Sequence, residues 1–134
     1  VFNILWVSQH PPLEIQVEWL RNKLGKVNIV EAEFDKCSWN KKFTGANEIL
    51  KMFRERDKNG IRKYDELFLV APLSVMRVIL QHGVQPIRTQ LKKVDVSESN
   101  VTLKNGHYKF TEFKRVTAIT IHQEDILRRT NENN

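Results

Sequence analysis

Short apolar runs of strand-forming residues alternate with stretches whose apolar residues recur at helical spacing, and this alternation most constrains what the chain can become. Phe2 to Val7 is almost continuously apolar, as a strand buried on both faces requires. It stops at Ser8-Gln9-His10-Pro11-Pro12, where two prolines end the strand and Pro12 suits the first turn of a helix. Leu13, Val17, Leu20 and Leu24 then share one helical face, and Gly25 is a natural stop. Val27 to Glu33 reads as a second strand and residues 34–43 as a long loop.

The alternation continues. A second helix is predicted from Thr44 as its cap to Asn59-Gly60, with Ala46, Ile49, Leu50 and Phe53 inward and Lys51, Arg54, Arg56 and Lys58 outward. Leu67 to Ala71 reads as a third strand. Pro72 opens a third helix that buries Val75, Met76, Ile79 and Leu80 before His82-Gly83, and Pro86 to Leu91 is a fourth strand. Such alternation implies right-handed crossovers and parallel strands with helices on both faces. The expected fold is therefore α/β: a Rossmann-like three-layer sandwich of four parallel strands and three helices. Beyond it, Asn105-Gly106 marks a hairpin turn between VTLK and HYKFTEF, and Arg115 to His122 alternates like a further strand. These segments are expected to form a C-terminal antiparallel extension. The division is a single domain over 1–134, with a βα core at 1–96, a β extension at 97–124 and a tail at 125–134.

Composition narrows the setting. With 134 residues, 40% of them hydrophobic, one core is the economical arrangement. The opening VFNILWV lacks the flanks of a signal peptide, and no apolar run approaches the roughly 20 residues of a membrane span. Cys37 is the only cysteine, so no internal disulfide forms and a reducing, cytoplasmic setting is expected. Lys36, Lys41 and Lys42 would favour its thiolate, but no assembled base accompanies it, and a loop cysteine without a task is the simpler reading. The formal charge of +6 favours anionic partners, although the excess is spread over both halves.

Chemistry is expected beyond the carboxyl ends of the parallel strands. That rule selects Ser8, Gln9 and His10 after the first strand and Glu33 and Asp35 after the second. It selects Ser74 at the third helix start and Lys92 and Lys93 after the fourth strand. Hydroxyl, imidazole, ammonium groups and free helix amides together suit a phosphate-bearing ligand. Neither G-x-G-x-x-G nor a P-loop is present, so the usual NAD and ATP motifs are disfavoured. Ser8 and His10 suit nucleophile and base, or His10 a general acid, and equally suit a cap-and-turn cluster. Glu33 and Asp35 could pair, or be solvated loop carboxylates. His82, His107 and His122 lack ligand spacing, and no metal or other cofactor is expected. The basic residues of the second helix, with Arg62 and Lys63 nearby, could track a phosphate backbone. Interleaved Glu55, Asp57, Asp65 and Glu66 suit a solvated, salt-bridged face instead. Trp39, beside lysines, could stack on a base.

ILWVSQHPPLEIQ resembles the opening of small CRISPR-associated ancillary proteins, in which a first strand ends in Ser-His or Ser-x-His before a helix start with a downstream Gln. Ser8, His10 and Gln16 match, while Leu13 stands where a Thr is usual. GVQPIRTQLKKV is similar to their glycine, short-strand, basic stretch, and HYKFTEFKRV to their closing aromatic-basic strand, with Phe110, Phe113 and Arg115 in place. Uncharacterised phage and prokaryotic proteins share the outline. The resemblance implies a CARF-like (ring nuclease-like) Rossmann domain, usually dimeric. Some proteins of this kind bind cyclic oligoadenylate second messengers, and some cut them without metal. Ser8 and His10 would then be catalytic, with Gln9, Ser74, Lys92 and Lys93 binding the ligand. The alternative is a non-enzymatic phage or prokaryotic interaction protein that docks on a host protein or nucleic acid through the second helix and the 34–43 loop.

Overall fold

A computed structural model of the chain describes residues 1–32, 44–103 and 105–120. Expectations concerning Glu33, Asp35, the 34–43 loop with Cys37 and Trp39, the Thr44 side chain, His122 and the 125–134 tail lie outside the described residues.

The elements follow one another as β1 (Phe2–Val7), α1 (Glu14–Leu24), β2 (Val27–Glu31), α2 (Thr44–Phe53), β3 (Glu66–Leu69), α3 (Leu73–Gln81), β4 (Ile87–Lys93), β5 (Val101–Leu103) and β6 (Gly106–Arg115). The six strands form one mixed sheet in the order β2-β1-β3-β4-β6-β5. β1 runs parallel to both β2 and β3, and β3 parallel to β4, whereas β6 is antiparallel to β4 and β5. No described helix is long and apolar enough to cross a membrane.

Alternation along the strands divides the core between the two sheet faces. Leu5, Val7, Leu67 and Leu69 pack with Ala46, Ile49 and Leu50 of α2 and Val75, Met76 and Ile79 of α3. Ile4, Trp6, Phe68 and Ile87 point the other way and pack with Leu20 of α1 and with Phe110 and Phe113 of β6. One helix therefore covers one face and two cover the other. The chain steps from β1 to β2 in one direction and then back past β1 to β3, so right-handed crossovers place α1 opposite α2 and α3.

Several boundaries differ from the sequence reading, each for a local reason. β2 is assigned only to Glu31. α2 ends at Phe53 rather than near Asn59, because Asp57 Oδ1 accepts the backbone N–H groups of Asn59 (2.8 Å) and Ile61 (3.0 Å) and offers that segment a turn in place of a helix. Arg56 and Arg62 then form an isolated antiparallel bridge. The basic helix face expected of Lys51, Arg54, Arg56 and Lys58 is thus not formed. Arg54 Nη2 donates to the His82 carbonyl at the end of α3 (2.8 Å), Arg56 Nη1 donates to Gly60 (2.8 Å), and Lys63 pairs with Glu55.

β4 extends past Leu91 through Lys93 because β6 continues to pair with it, so Lys92 and Lys93 belong to the strand and not to a loop after it. β6 itself runs to Arg115, and residues 116–120 are not a strand, in contrast to the one expected over 115–122. Arg115 is drawn instead to Glu66 on β3, with Nη1 donating to Oε1 at 2.8 Å and also to the Gln85 carbonyl at 2.9 Å. The Glu66 hydrogen bond holds the guanidinium pKa above its ordinary value, against partial desolvation.

Candidate functional site

β3 pairs with β4 at Phe68 and Ile87, which brings Leu69, the last residue of β3, level with Arg88. β4 then runs on from Thr89 to Lys93, roughly 16 Å of strand with no β3 beside it. β6 and β5 follow it, so this part of the sheet overhangs the ends of β1 and β3. The reversal of strand order falls between β1 and β3, where ligands collect in open α/β sheets. Beneath the overhang lies a cavity of about 410 Å³.

Its floor is aromatic. Trp6 and Phe68 face each other across the β1–β3 ladder and stack with centroids 3.7 Å apart and planes at 17°. Leu91, Val101 and Leu103 of the overhang form one wall, and the β1–α1 turn with Ser8, His10, Pro11 and Leu13 forms the other. Thr89 and Asn100 add polar groups, and Asn100 Oδ1 accepts from Phe110 N–H (2.9 Å). Thr102 also borders the cavity, but its side chain alternates to the other face of β5, where Oγ1 lies 3.4 Å from His107 Nδ1. Among the described residues, no Lys, Arg, Asp or Glu lines the cavity, and His10 is the only titratable side chain there. The space favours a flat, largely apolar group that needs a few hydrogen bonds.

The turn is held from both sides. Trp6 Nε1 donates to the His10 carbonyl at 2.9 Å, which ties the indole of the floor to the rim. Ser8 Oγ accepts from His10 N–H at 3.2 Å, the serine turn weighed from the sequence. No bond joins the serine hydroxyl to the imidazole among the described residues, so a nucleophile–base pair is not assembled. Ser8 keeps its hydroxyl proton to donate, and His10 is exposed at the cavity edge.

Gln16 is buried, at 7% exposure, and Oε1 accepts the Leu13 N–H at 2.8 Å. This is the third-residue half of a capping box. Leu13 at the cap carries no oxygen to complete the other half. Replacing Gln16 by Ala is expected to cost about 1 kcal/mol, since a partly buried backbone donor at the mouth of the cavity loses its partner. A lower urea midpoint with an unchanged slope would show it.

Of the six residues selected from the sequence that are described, the structure brings Ser8 and His10 to the cavity. Gln9 is exposed on the same turn but does not line it. Ser74 sits exposed in the first turn of α3, whose packing face lies across the sheet. Lys92 and Lys93 occupy the same end of the sheet as Ser8 and His10, but successive strand residues face opposite sides. Lys93 shares the cavity face with Leu91 and lies further out, where its Cε would be 3.2 Å from a Cβ at Gly106. Lys92 faces away. The overhang residues Leu91, Asn100, Val101, Thr102 and Leu103 were not singled out. Their signal was the hairpin at Asn105-Gly106, which folds Val101 and Leu103 back beside β6. Among the described residues, no group of three or more His, Cys, Asp or Glu is placed to hold a metal ion. No family model, curated protein or solved structure matches the chain.

Proposed function

We propose that the chain is a Rossmann-like, CARF-like module that binds a nucleotide-type ligand, with a base seated over Trp6 and Phe68 beneath the β4–β6–β5 overhang. The observation that carries this reading is the cavity at the β1/β3 reversal, floored by stacked aromatics and rimmed by Ser8 and His10. An uncharged ring suits a pocket without Lys or Arg, and the phosphates would extend outward along the same face toward Lys93. Cyclic oligonucleotides are the ligand class to which the sequence resemblance points.

Two copies would share one ring-shaped ligand across a twofold axis in a cytoplasmic homodimer. Cleavage would be metal-independent: a ribose 2′-hydroxyl gives its proton to water as its oxygen attacks the neighbouring phosphorus, and the bond to the 5′-oxygen breaks to leave a 2′,3′-cyclic phosphate. His10 would protonate that leaving oxygen while Ser8 and Gln9 hold the phosphate. The reading as a non-enzymatic phage or prokaryotic interaction protein that docks through α2 has less support, because Arg54 and Arg56 lie beyond the helix and are bound to carbonyls.

Titration with cyclic tetra- and hexa-adenylate in EDTA, followed by tryptophan fluorescence, tests the binding. A saturable change is expected because Trp6 lies in the floor. Absence of both a fluorescence change and heat of binding would remove the reading. Where linear product forms, His10→Ala is expected to slow it by about 10²-fold or more, with affinity little changed.

A further inference from the structure

The register of β4 against β6 places Arg88 directly opposite Lys114 and Lys92 directly opposite Lys109. All four residues are exposed. Like charges facing each other across an antiparallel ladder are destabilising, and here the arrangement occurs twice on one ribbon. The intervening pairs, Thr89 with Phe113 and Leu91 with Phe110, point to the α1 side. The cations therefore share the opposite face, where Gln90 and Glu112 lie between them and Thr102 and His107 continue the surface onto β5. The two cation pairs are four residues apart, roughly 13 Å along the strand. Self-repulsion of this kind is relieved when an anion lies across the face.

We infer that the basic face of the β4–β6 ribbon docks on the phosphate backbone of a nucleic-acid duplex. The paired strand residues of this face are cations and hydrogen-bonding side chains, Glu112 among them, and the apolar Leu73, Met76, Val116 and Ile119 meet the face only at its Arg88–Gln90 end. A mainly cationic and polar face matches protein–nucleic acid interfaces better than the cores of protein–protein interfaces. Its described strand residues include no Phe, Tyr or Trp, because Tyr108, Phe110 and Phe113 point to the other side with Lys93, Leu91 and Thr89. A single strand would lack the stacking platform it needs, whereas two cation pairs about 13 Å apart on a sheet face match the phosphate rows that flank a groove about 12 Å wide. This surface is separate from the cavity and does not depend on what the cavity binds.

Fluorescence anisotropy with labelled DNA and RNA duplexes of equal length, at several salt concentrations, tests the inference and distinguishes the two sources of backbone. Four engaged cations predict a slope of log K on log salt of about −3 to −4 for DNA. The double substitution Lys92→Gln with Lys109→Gln should weaken binding on every sequence and make the slope shallower by about two. It should leave the melting temperature unchanged or raise it, since a repulsive pair is removed. Arg88→Gln with Lys114→Gln is the independent repeat, and Lys26→Gln, on the far side of the sheet, should have no effect. Failure to bind either duplex at the lowest salt, or binding indifferent to both double substitutions, would overturn the proposal. Tighter binding of poly-glutamate than of either duplex would overturn it too, and assign the face to an acidic protein.

Discussion

Phe68→Ala is expected to lower folding stability by about 3–5 kcal/mol. Phe68 is 1% exposed at the centre of the sheet, where β3 lies between β1 and β4. Its ring stacks on Trp6 and meets the edge of Phe113 at 5.5 Å, so truncation removes the middle member of an aromatic cluster that β1, β3 and β6 share. Neighbouring backbones cannot close the gap, because strand spacing is set by the ladder hydrogen bonds. A domain of this size has about 5–15 kcal/mol in hand, so the loss is about a fifth of the total or more. The urea midpoint should fall sharply with little change in slope, and tryptophan emission should change in the folded baseline. Phe68→Leu should cost clearly less, since it keeps much of the volume. The same residue floors the cavity, and ligand affinity should fall in Phe68→Leu beyond what unfolding explains. A stability loss for Phe68→Ala below about 1 kcal/mol, the range of an ordinary surface change, would mean the cluster is not packed as described.

That cluster also shows what the sequence discloses and what it withholds. Phe2–Val7, the helix that follows it and the apolar LFL of β3 were legible, because each buries residues at the period of its own element. The position of Ser8 and His10 at the rim of a cavity followed from the rule for parallel strands alone. Elsewhere the outcome was decided by partners distant in sequence. Arg54 and Arg56 fit a helical face by spacing, but a single carboxylate, Asp57, diverts the backbone into a turn after Phe53. Lys92 and Lys93 look like loop residues until β6 extends the pairing of β4. The cavity wall was invisible for the same reason. Val101 and Leu103 have no meaning for a site until the overhang carries them above Trp6 and Phe68.

Insertion of one alanine between Gln90 and Leu91 is the second change with a large expected effect. In a regular strand, residues three apart face opposite sides of the sheet. Phe110 and Phe113 are nonetheless both buried on the α1 side, at 3% and 5% exposure. The reason is a bulge: Gln90 pairs with Glu112 while the next residue, Leu91, pairs with Phe110, which leaves Thr111 as the extra residue. Its hydroxyl donates to the Gln90 carbonyl at 3.2 Å. An inserted residue gives Thr111 a partner, the ladder becomes regular, and one of the two phenylalanines must turn to the cationic face. If Phe113 keeps its place against Trp6, Phe110 and Leu91 move into solvent while Lys109 and Lys92 turn to the α1 side, which should cost at least about 3 kcal/mol. Thr111→Ala removes one exposed hydrogen bond but keeps the residue count, and should cost no more than about 1 kcal/mol. The contrast between insertion and substitution therefore isolates register from side-chain chemistry. Urea unfolding of the two variants measures it. The insertion takes Lys92 and Lys109 off the exposed face, so it should also reduce duplex binding, which Thr111→Ala should leave intact. Equal stability of the two variants would show that β4 and β6 tolerate a regular ladder, and the shared burial of Phe110 and Phe113 would then need another cause.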